Sequence, residues 1–409
     1  MQLFPHQQEA KLFLLSRRRA ILADQPRVGK TLPTAAAALE NLPALIVCPA
    51  IAKTVWEAAF SKLAPNVSVH VVNGKKGASE VNSADITIIN YDVLQYGVTH
   101  VDRYNTLVLD EAHRLANPKA KRTKAAMLAM KKIDYVFALS GTIVPNRPAE
   151  LWPILHGLGI YRGGWFDFVY RYAKAWSPPW GGLDVSGASN IPELKALVKP
   201  HMLRRKKEDI FMDYKEPQIS LITFDLAVDK REQAFDADAL IANPNALLAF
   251  EGLSEIMREA GMRKVQYAAD FIDDLLQANE PVVVFAHHKD VVQALQDELK
   301  THKPVVITGE TPRAKRDKAI ADFQAGKTLC IIGNIAAMSE GVDLSAADTI
   351  VFVECTWSTS ALEQASSRVE NINKSGIPPV IYILTIKASL DHNVLAKVLK
   401  KLNVVNQII

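Results

Sequence analysis

The chain has 409 residues, 49% of them hydrophobic and 22% charged, and a net charge of +4. That length predicts two or three globular domains, the composition excludes intrinsic disorder, and so mild a basicity permits a polyanionic partner without requiring one. No apolar run is long enough to span a bilayer, and the opening MQLFPHQQEA lacks a signal-peptide pattern, so a soluble intracellular protein with no membrane partner is expected. Cys48, Cys330 and Cys355 lie in strand-like runs without metal-ligand spacing and read as buried thiols.

Residues 1–150 alternate strand-like and helix-like segments. Ala20–Ala23, Leu45–Cys48, Val67–Val72, Ile86–Ile89, Leu107–Leu109 and Tyr135–Leu139 are apolar and rich in β-branched residues, while Thr34–Leu42, Ala52–Leu63 and Lys121–Met130 carry helical patterns. This alternation predicts an open, mostly parallel sheet covered by helices, with functional loops at the carboxyl ends of its strands. The first strand ends in a turn containing Pro26 and Gly29, followed by Lys30-Thr31 and an alanine-rich helix. Strand, turn and helix with Gly-Lys-Thr at the helix start is the phosphate-loop arrangement. Backbone N–H groups and the helix dipole meet the phosphates, Lys30 reaches the β/γ oxygens, and Thr31 holds Mg²⁺. A strict phosphate loop begins with Gly where this chain has Asp24, and a turn capping a helix is the plain structural alternative.

Asp110-Glu111-Ala112-His113, at the end of a later strand, gives the loop its partner. An Asp ending a buried strand can hold the Mg²⁺ shell, and the adjacent Glu can orient and activate the attacking water. Helix capping by the two acids competes if they are taken alone; beside Gly-Lys-Thr in one α/β unit, hydrolysis of a nucleoside triphosphate such as ATP is the better reading. Pro49, Asn90-Tyr91 and Ser140-Gly141-Thr142 fall at the other strand ends.

Across 151–265 the pattern changes to aromatic, Pro/Gly-interrupted and polar stretches, then the basic HMLRRKKED, then a largely helical Lys230–Leu276. This predicts a mostly helical insert or bridge. Its aromatics Trp165, Phe166, Phe168, Tyr170 and Tyr172 read mainly as core, with base stacking as the alternative. The run Arg204-Arg205-Lys206-Lys207 could grip phosphates, with a solvated helix face or an inter-domain ion-pair network as the alternatives. From 266 to 409 the alternation resumes, with strands at Val282–Ala286, Val305–Thr308, Leu329–Gly333, Ile350–Glu354 and Val380–Thr385. Helices are expected at Lys289–Leu299, Thr311–Phe323 and Ser360–Arg368, and Leu390–Leu402 reads as an amphipathic C-terminal packing helix.

An ordered set of strings along nearly the whole chain resembles helicase superfamily 2, specifically the Swi2/Snf2 group of double-stranded-DNA translocases. LFPHQ resembles the adenine-reading element, with Gln7 the reader, and VCPA and INYDVL resemble loops that contact a DNA backbone. DEAHRLANPKAKRTKA resembles the group's extended second motif and SGTIVPNRPAELW its third. VVVFAHHKDVVQAL, ITGET, GVDLSAADTIVFVECTWS and ALEQASSRVENINKSG line up with the later motifs, and the insert together with FAHH is most similar to the fork-remodelling annealing-helicase branch.

The resemblance implies an α/β fold: two RecA-like parallel-sheet lobes, the P-loop NTPase helicase core, with ATP and Mg²⁺ between them. It implies ATP contacts from Gln7, Arg27, Gly29, Lys30, Thr31, Gly341 and Asp343, and chemistry from Lys30, Asp110, Glu111 and Arg368, with Thr31 and Asp110 on the metal. Coupling of nucleotide state to DNA grip falls to His113, Ser140, Gly141, Thr142 and Gln364. Double-stranded or branched DNA would be touched mainly through phosphates by Pro49, Lys53, Asn90, Tyr91, Arg204, Arg205, His287, Thr308 and Gly309. The expected protein is a monomeric motor that remodels forks or junctions in the cytoplasm of a bacterial or phage-infected cell.

Some positions depart from the group's pattern. Arg27 stands where many helicases have a further Gly, Ile143 where the third motif has Pro, and Asn371 where the sixth motif has its second arginine. Loss of a cationic finger that acts alone costs about 10³–10⁵ in turnover. Two alternatives therefore stay open: a catalytically weakened ATP-binding clamp on branched DNA, and an RNA-directed member of the superfamily.

Overall fold

The computed structural model describes residues 2–79, 83–141, 147–178, 181–235, 252–338, 342–354, 362, 365–369 and 378–396. The chain divides into two compact units, Met1–Ile210 and Phe211–Asn403, each built around its own sheet.

In the first unit, β1 (Arg19–Leu22), β2 (Ala44–Cys48), β3 (Val69–Val71), β4 (Ile86–Asn90), β5 (Thr106–Asp110), β6 (Tyr135–Leu139) and β7 (Met202–Leu203) form one sheet in the order β3-β4-β2-β5-β6-β1-β7. Every pairing is parallel, as the alternation of strand-like and helix-like segments predicts. A parallel sheet must be covered on both faces, and successive side chains split accordingly. Ile21, Leu45, Val47, Leu107 and Leu109 enter one buried cluster, whereas Ala20, Leu22, Ile46, Cys48 and Val108 enter the other. The helices α1 (Pro5–Arg17), α2 (Thr31–Ala38) and α3 (Lys53–Leu63) cover the second face through residues such as Leu14, Ala37 and Phe60. The helices α4 (Gly74–Ser79), α5 (Tyr91–Gly97) and α6 (Lys121–Lys132) contribute to the first.

The second unit repeats this architecture. Its strands β8 (Gln218–Phe224), β9 (Val282–Ala286), β10 (Val305–Ile307), β11 (Cys330–Asn334), β12 (Thr349–Phe352) and β13 (Val380–Ile386) run in the order β10-β11-β9-β12-β13-β8, again all parallel. Cys48 and Cys330 are buried free thiols, as expected, and Cys355 lies outside the described residues.

The expected insert over 151–265 is not a body of its own. The helices α7 (Trp152–Gly157), α8 (Trp165–Tyr172) and α9 (Ile191–Val198) bury Ile154, Leu155, Phe168, Tyr172 and Leu194 in the same cluster as Ile21 and Leu107. Phe166 and Tyr170, on the outer side of α8, stay exposed. Met202-Leu203 then pairs with Ile21-Leu22, extending the first sheet, while Gln218–Phe224 pairs with Val380–Ile386 and extends the second. The segment belongs to both sheets because each has an edge strand able to accept one more partner. The long helix α10 (Leu253–Gln277) opens the second lobe's helical cover. Among the described residues, no helix is long and apolar enough to cross a membrane.

Candidate nucleotide site

The phosphate loop is pinned from three sides. Gly29 takes φ +89°, and a Cβ there would fall 2.8 Å from Gln7 Nε2, so only glycine fits beneath that amide. Gln7 donates to Gly29 O at 3.3 Å and its oxygen accepts from Phe4 N at 3.1 Å, while His6 Nε2 lies 3.2 Å from Val28 O. Those two bonds use one of Gln7's two N–H groups and one oxygen lone pair, which leaves capacity for a base. Arg27 carries a positive φ of 71° in the loop.

Lys30 Nζ donates to the loop's own carbonyls, Asp24 O at 2.8 Å and Gln25 O at 3.2 Å. Burial lowers its pKa; Glu111, Asp24 and Asp110 oppose that shift, and the neighbouring Lys207 adds to it. The ammonium thus lies within electrostatic reach of three acids and a second lysine.

Asp110, at the end of β5, accepts from Trp56 Nε1 at 2.8 Å and from Glu111 N at 3.1 Å. Burial, then the adjacent Glu111, raises its carboxyl to about 6, with Trp56 and Lys30 pulling the other way. Glu111 sits at φ +53°, a left-handed geometry that costs a non-glycine residue about 1 kcal/mol or more. His113 Nδ1 lies 2.9 Å from Ser140 Oγ and 3.3 Å from Glu111 Oε2. A Cβ on Gly141 would fall 2.8 Å from Pro26 Cγ, so the turn after β6 packs directly against the phosphate loop. The structure thus brings Lys30, Asp110, Glu111, His113, Ser140 and Gly141 into one chain of contacts.

The donor set fits Mg²⁺. The ion takes oxygen ligands, keeps much of its water, and is held by one or two protein oxygens plus phosphates. Thr31 opens α2 and Asp110 supplies a half-buried carboxylate, and no group of three or more potential ligating side chains forms a ready-made cage among the described residues.

Sequence reasoning assigned three residues to DNA that the structure places elsewhere. Tyr91 is 2% exposed and donates its hydroxyl to Asp110 O at 2.7 Å, so it braces the acid strand. Pro49 is buried at the end of β2. Arg205 is committed to the phosphate loop. Its backbone N–H and Nε donate to Asp24 Oδ1 at 2.9 and 3.1 Å, its Nη2 donates to Asp24 Oδ2, and its Nη1 reaches His6 O at 2.5 Å and Glu9 Oε2 at 2.8 Å. A two-pronged guanidinium therefore clamps the buried carboxylate that stands where a strict loop has glycine. The rest of the segment follows: Ala23 N donates to Leu203 O, Gln25 N to Arg205 O and Lys207 N to Gln25 Oε1. Arg204 points the same way, with Nη1 3.4 Å from Ala23 O and 3.5 Å from Gly141 O. Asp24, Arg205 and Lys207 are the site residues that motif reading missed or misassigned; the excess of basic residues was the visible signal, and the pairing of Met202-Leu203 with β1 was not.

Lys53 donates to Val72 O at 2.6 Å, and Asn90 is partly exposed at its strand end. In the second unit Leu344, next to Asp343, donates its backbone N–H to Arg368 O at 3.1 Å. Thr308 N donates to Thr311 Oγ1 at 2.9 Å, Gly309 is open to solvent, and His287 is held by its backbone N–H on Glu354 at 2.7 Å. Thr142, Ile143, Gly341, Gln364 and Asn371 lie outside the described residues.

Comparison with known proteins fits this geometry. The SNF2-related domain matches residues 6–237. The chain belongs to the SNF2-related family. The helicase conserved C-terminal domain matches residues 264–373, so the two family domains fall largely on the two sheets of this SNF2 chain. It is 31% identical over 428 aligned residues to the SWI/SNF-related matrix-associated actin-dependent regulator of chromatin subfamily A-like protein 1 of Xenopus laevis, covering 99% of this chain and 44% of that protein. The DNA annealing helicase and endonuclease ZRANB3 of Homo sapiens is 26% identical, covering 94% of this chain and 38% of that protein. The chain spans less than half the length of either curated relative. Among solved structures, the Sulfolobus solfataricus SWI2/SNF2 ATPase core in complex with dsDNA aligns with a TM-score of 0.49 at 21% identity, over 100% of this chain and 93% of that one.

Proposed function

We propose that this SNF2 chain is an ATP-driven translocase on double-stranded DNA that remodels branched DNA such as forks and junctions. The observation that carries the hydrolytic half is the grouping of Lys30, Asp110, Glu111, His113 and Ser140, in which a half-buried carboxyl with a raised pKa stands beside a second acid whose Oε2 lies 3.3 Å from His113 Nδ1. Lys30 leaves its loop carbonyls to bind the β/γ oxygens, Glu111 orients the attacking water, and Arg368 senses the γ-phosphate. Bound Mg²⁺, on Thr31 and Asp110, would neutralise phosphate charge. Because His113 joins Glu111 to Ser140, and Gly141 abuts Pro26, loss of the γ-phosphate is felt at the turn after β6. Gln7 reads the base with its remaining N–H and lone pair. The names of the relatives, one a DNA annealing helicase, support DNA as the track, and Lys53, Asn90, His287, Thr308 and Gly309 are its proposed backbone contacts.

The test is phosphate release from ATP with no DNA, single strand, duplex and a fork, with Lys30→Ala as the control. Stimulation by duplex or fork, absent in the control, is expected. Fork binding that shifts with nucleotide but shows no turnover above the control would instead make this chain the clamp that Asn371 and Arg27 motivate. Preferential stimulation by RNA would move it to the RNA-directed class.

A further inference from the structure

At the rim of the first sheet opposite the phosphate loop lies a cleft of about 400 Å³, lined by Arg17, Arg18, Arg19, Asp134, Leu158, Gly159 and His201. Its position follows from the topology. Arg19 opens β1, Asp134 precedes β6 and His201 precedes β7, so the cleft gathers the amino-terminal ends of three neighbouring strands, whereas Lys30, Asp110 and Ser140 lie at or beyond the carboxyl ends. A strand of this length holds the two rims roughly 13 Å apart.

Each arginine has a different task. Arg19 is the floor: it donates to Leu158 O at 3.1 Å, Ile133 O at 2.7 Å, Met130 O at 2.5 Å and Gly157 O at 2.8 Å, joining the carbonyl ends of α6 and α7. Four of its five N–H groups are consumed in that role. Arg17 and Arg18 are the walls. Their guanidiniums lie over aromatic rings, Arg17 5.9 Å from the Phe13 centroid and Arg18 5.6 Å from that of Tyr135. A ring face orients a cation without neutralising it. Neither side chain has an ion pair or hydrogen bond among the described residues, and Asp134 is the one acid lining the cleft.

The backbone adds an independent observation. Arg18 follows α1 at φ +60° and ψ −42°, a backbone geometry that residues other than glycine rarely adopt. An arginine stands there at a conformational cost, on a wall of the cleft, beside a second arginine that is also unpaired among the described residues.

We propose that this cleft is a phosphate-binding site, distinct from the nucleotide site, in which Arg17, Arg18 and His201 take a phosphate group. The group comes either from a nucleic-acid backbone or from a free phosphate compound.

The test uses the full chain with Arg17→Ala and Arg18→Gly combined. Glycine relaxes the positive φ, so the double variant should melt no lower than the parent. Two probes are read: a 24-bp DNA duplex by anisotropy at salt concentrations from 50 to 200 mM, and inorganic pyrophosphate by calorimetry in a Lys30→Ala background, which silences the phosphate loop. MgATP affinity of the double variant with Lys30 intact should be unchanged, which separates this site from the proposed hydrolytic one. A fall of about 2 in the slope of log affinity against log salt, with at least a tenfold loss of duplex affinity at the low-salt end, assigns the site to nucleic-acid phosphates. An unchanged slope with loss of pyrophosphate binding assigns it to a free phosphate compound. The proposal is overturned if slope and pyrophosphate binding both match the parent; capture of a poly-glutamate peptide alone would also overturn it, giving the cleft to an acidic protein.

Discussion

Each lobe holds a carboxylate at the carboxyl end of a central strand, and the two are treated in opposite ways. In the second lobe Glu354, just beyond β12, is 4% exposed and accepts from His287 N at 2.7 Å, His288 N at 2.8 Å and His288 Nδ1 at 2.7 Å. A Cβ on Gly261 would lie 2.7 Å from its Oε1, so helix α10 is pressed close over it. In the first lobe Asp110 has, among the described residues, a single side-chain donor, Trp56, and lies beside Glu111 and Lys30. Saturating an acid with N–H donors makes it a fastener for a loop. Leaving one beside a second acid raises its pKa and keeps it available for a cation. The same architecture therefore carries a structural acid in one lobe and, in the proposed function, a chemical one in the other.

Exchanging the tests between the lobes should break the symmetry. Glu111→Gln is expected to lower ATP turnover by about 10²–10⁴ while MgATP affinity stays within a few-fold, read by steady-state kinetics and nucleotide titration. Glu354→Ala should instead destabilise the second lobe by about 1–3 kcal/mol, because two part-buried backbone N–H groups and a histidine lose their acceptor. Urea unfolding followed by a probe in that lobe measures it, and retained stability would make Glu354 dispensable.

A third variant concerns the first lobe's own fastener. Arg205→Ala leaves the buried Asp24 carboxylate uncompensated and should cost about 3 kcal/mol in the stability of that lobe. Arg205→Lys keeps the charge but loses the fork. The clamp's role in positioning the loop predicts about a tenfold weaker MgATP affinity with kcat nearly unchanged, an outcome that bulk destabilisation would not produce.

These residues also show how far a sequence can be read. The strand-like runs Leu45–Cys48, Ile86–Ile89, Tyr135–Leu139 and Val282–Ala286 are strands in the structure, because a strand buried on both faces must be continuously apolar. That Lys30, Asp110, Glu111 and His113 lie near one another was legible because each sits in a short local motif at a strand end. Met202-Leu203 is too short to carry periodicity, and Gln218–Phe224, although it alternates, is an exposed edge strand in a stretch dominated by aromatic and basic signals. With β7 unseen, phosphate binding and an ion-pair network stood as alternatives for Arg205, and nothing pointed to Asp24 as its partner. Its partner Asp24 is 181 residues away, and no local rule joins them. Tyr91 misled for a related reason: a strand-end position was visible, but the inward turn of its side chain onto Asp110 was not.

The smallest effect expected is the pH dependence of the chemical acid, and it follows from the sign of the shift. Burial and then Glu111 raise Asp110 to about 6, so the folded chain holds this proton more tightly than the unfolded chain, whose carboxyl titrates near 3.9. Its contribution to stability is therefore present below that unfolded value and is lost as the pH rises through about 6. Above 6 the ionised carboxylate weakens the fold and is ready for a cation; below 6 Mg²⁺ must displace a proton, which weakens its binding by up to about tenfold per pH unit. The Mg²⁺-dependent part of ATP affinity should accordingly grow between pH 5 and 7. Asp110→Asn, whose amide oxygen can still accept from Trp56, should remove that growth and should raise the melting temperature more at pH 7.5 than at pH 5. If the variant gains nothing at pH 7.5, Asp110 is a second fastener, and the contrast with Glu354 fails at the point where the chemistry depends on it.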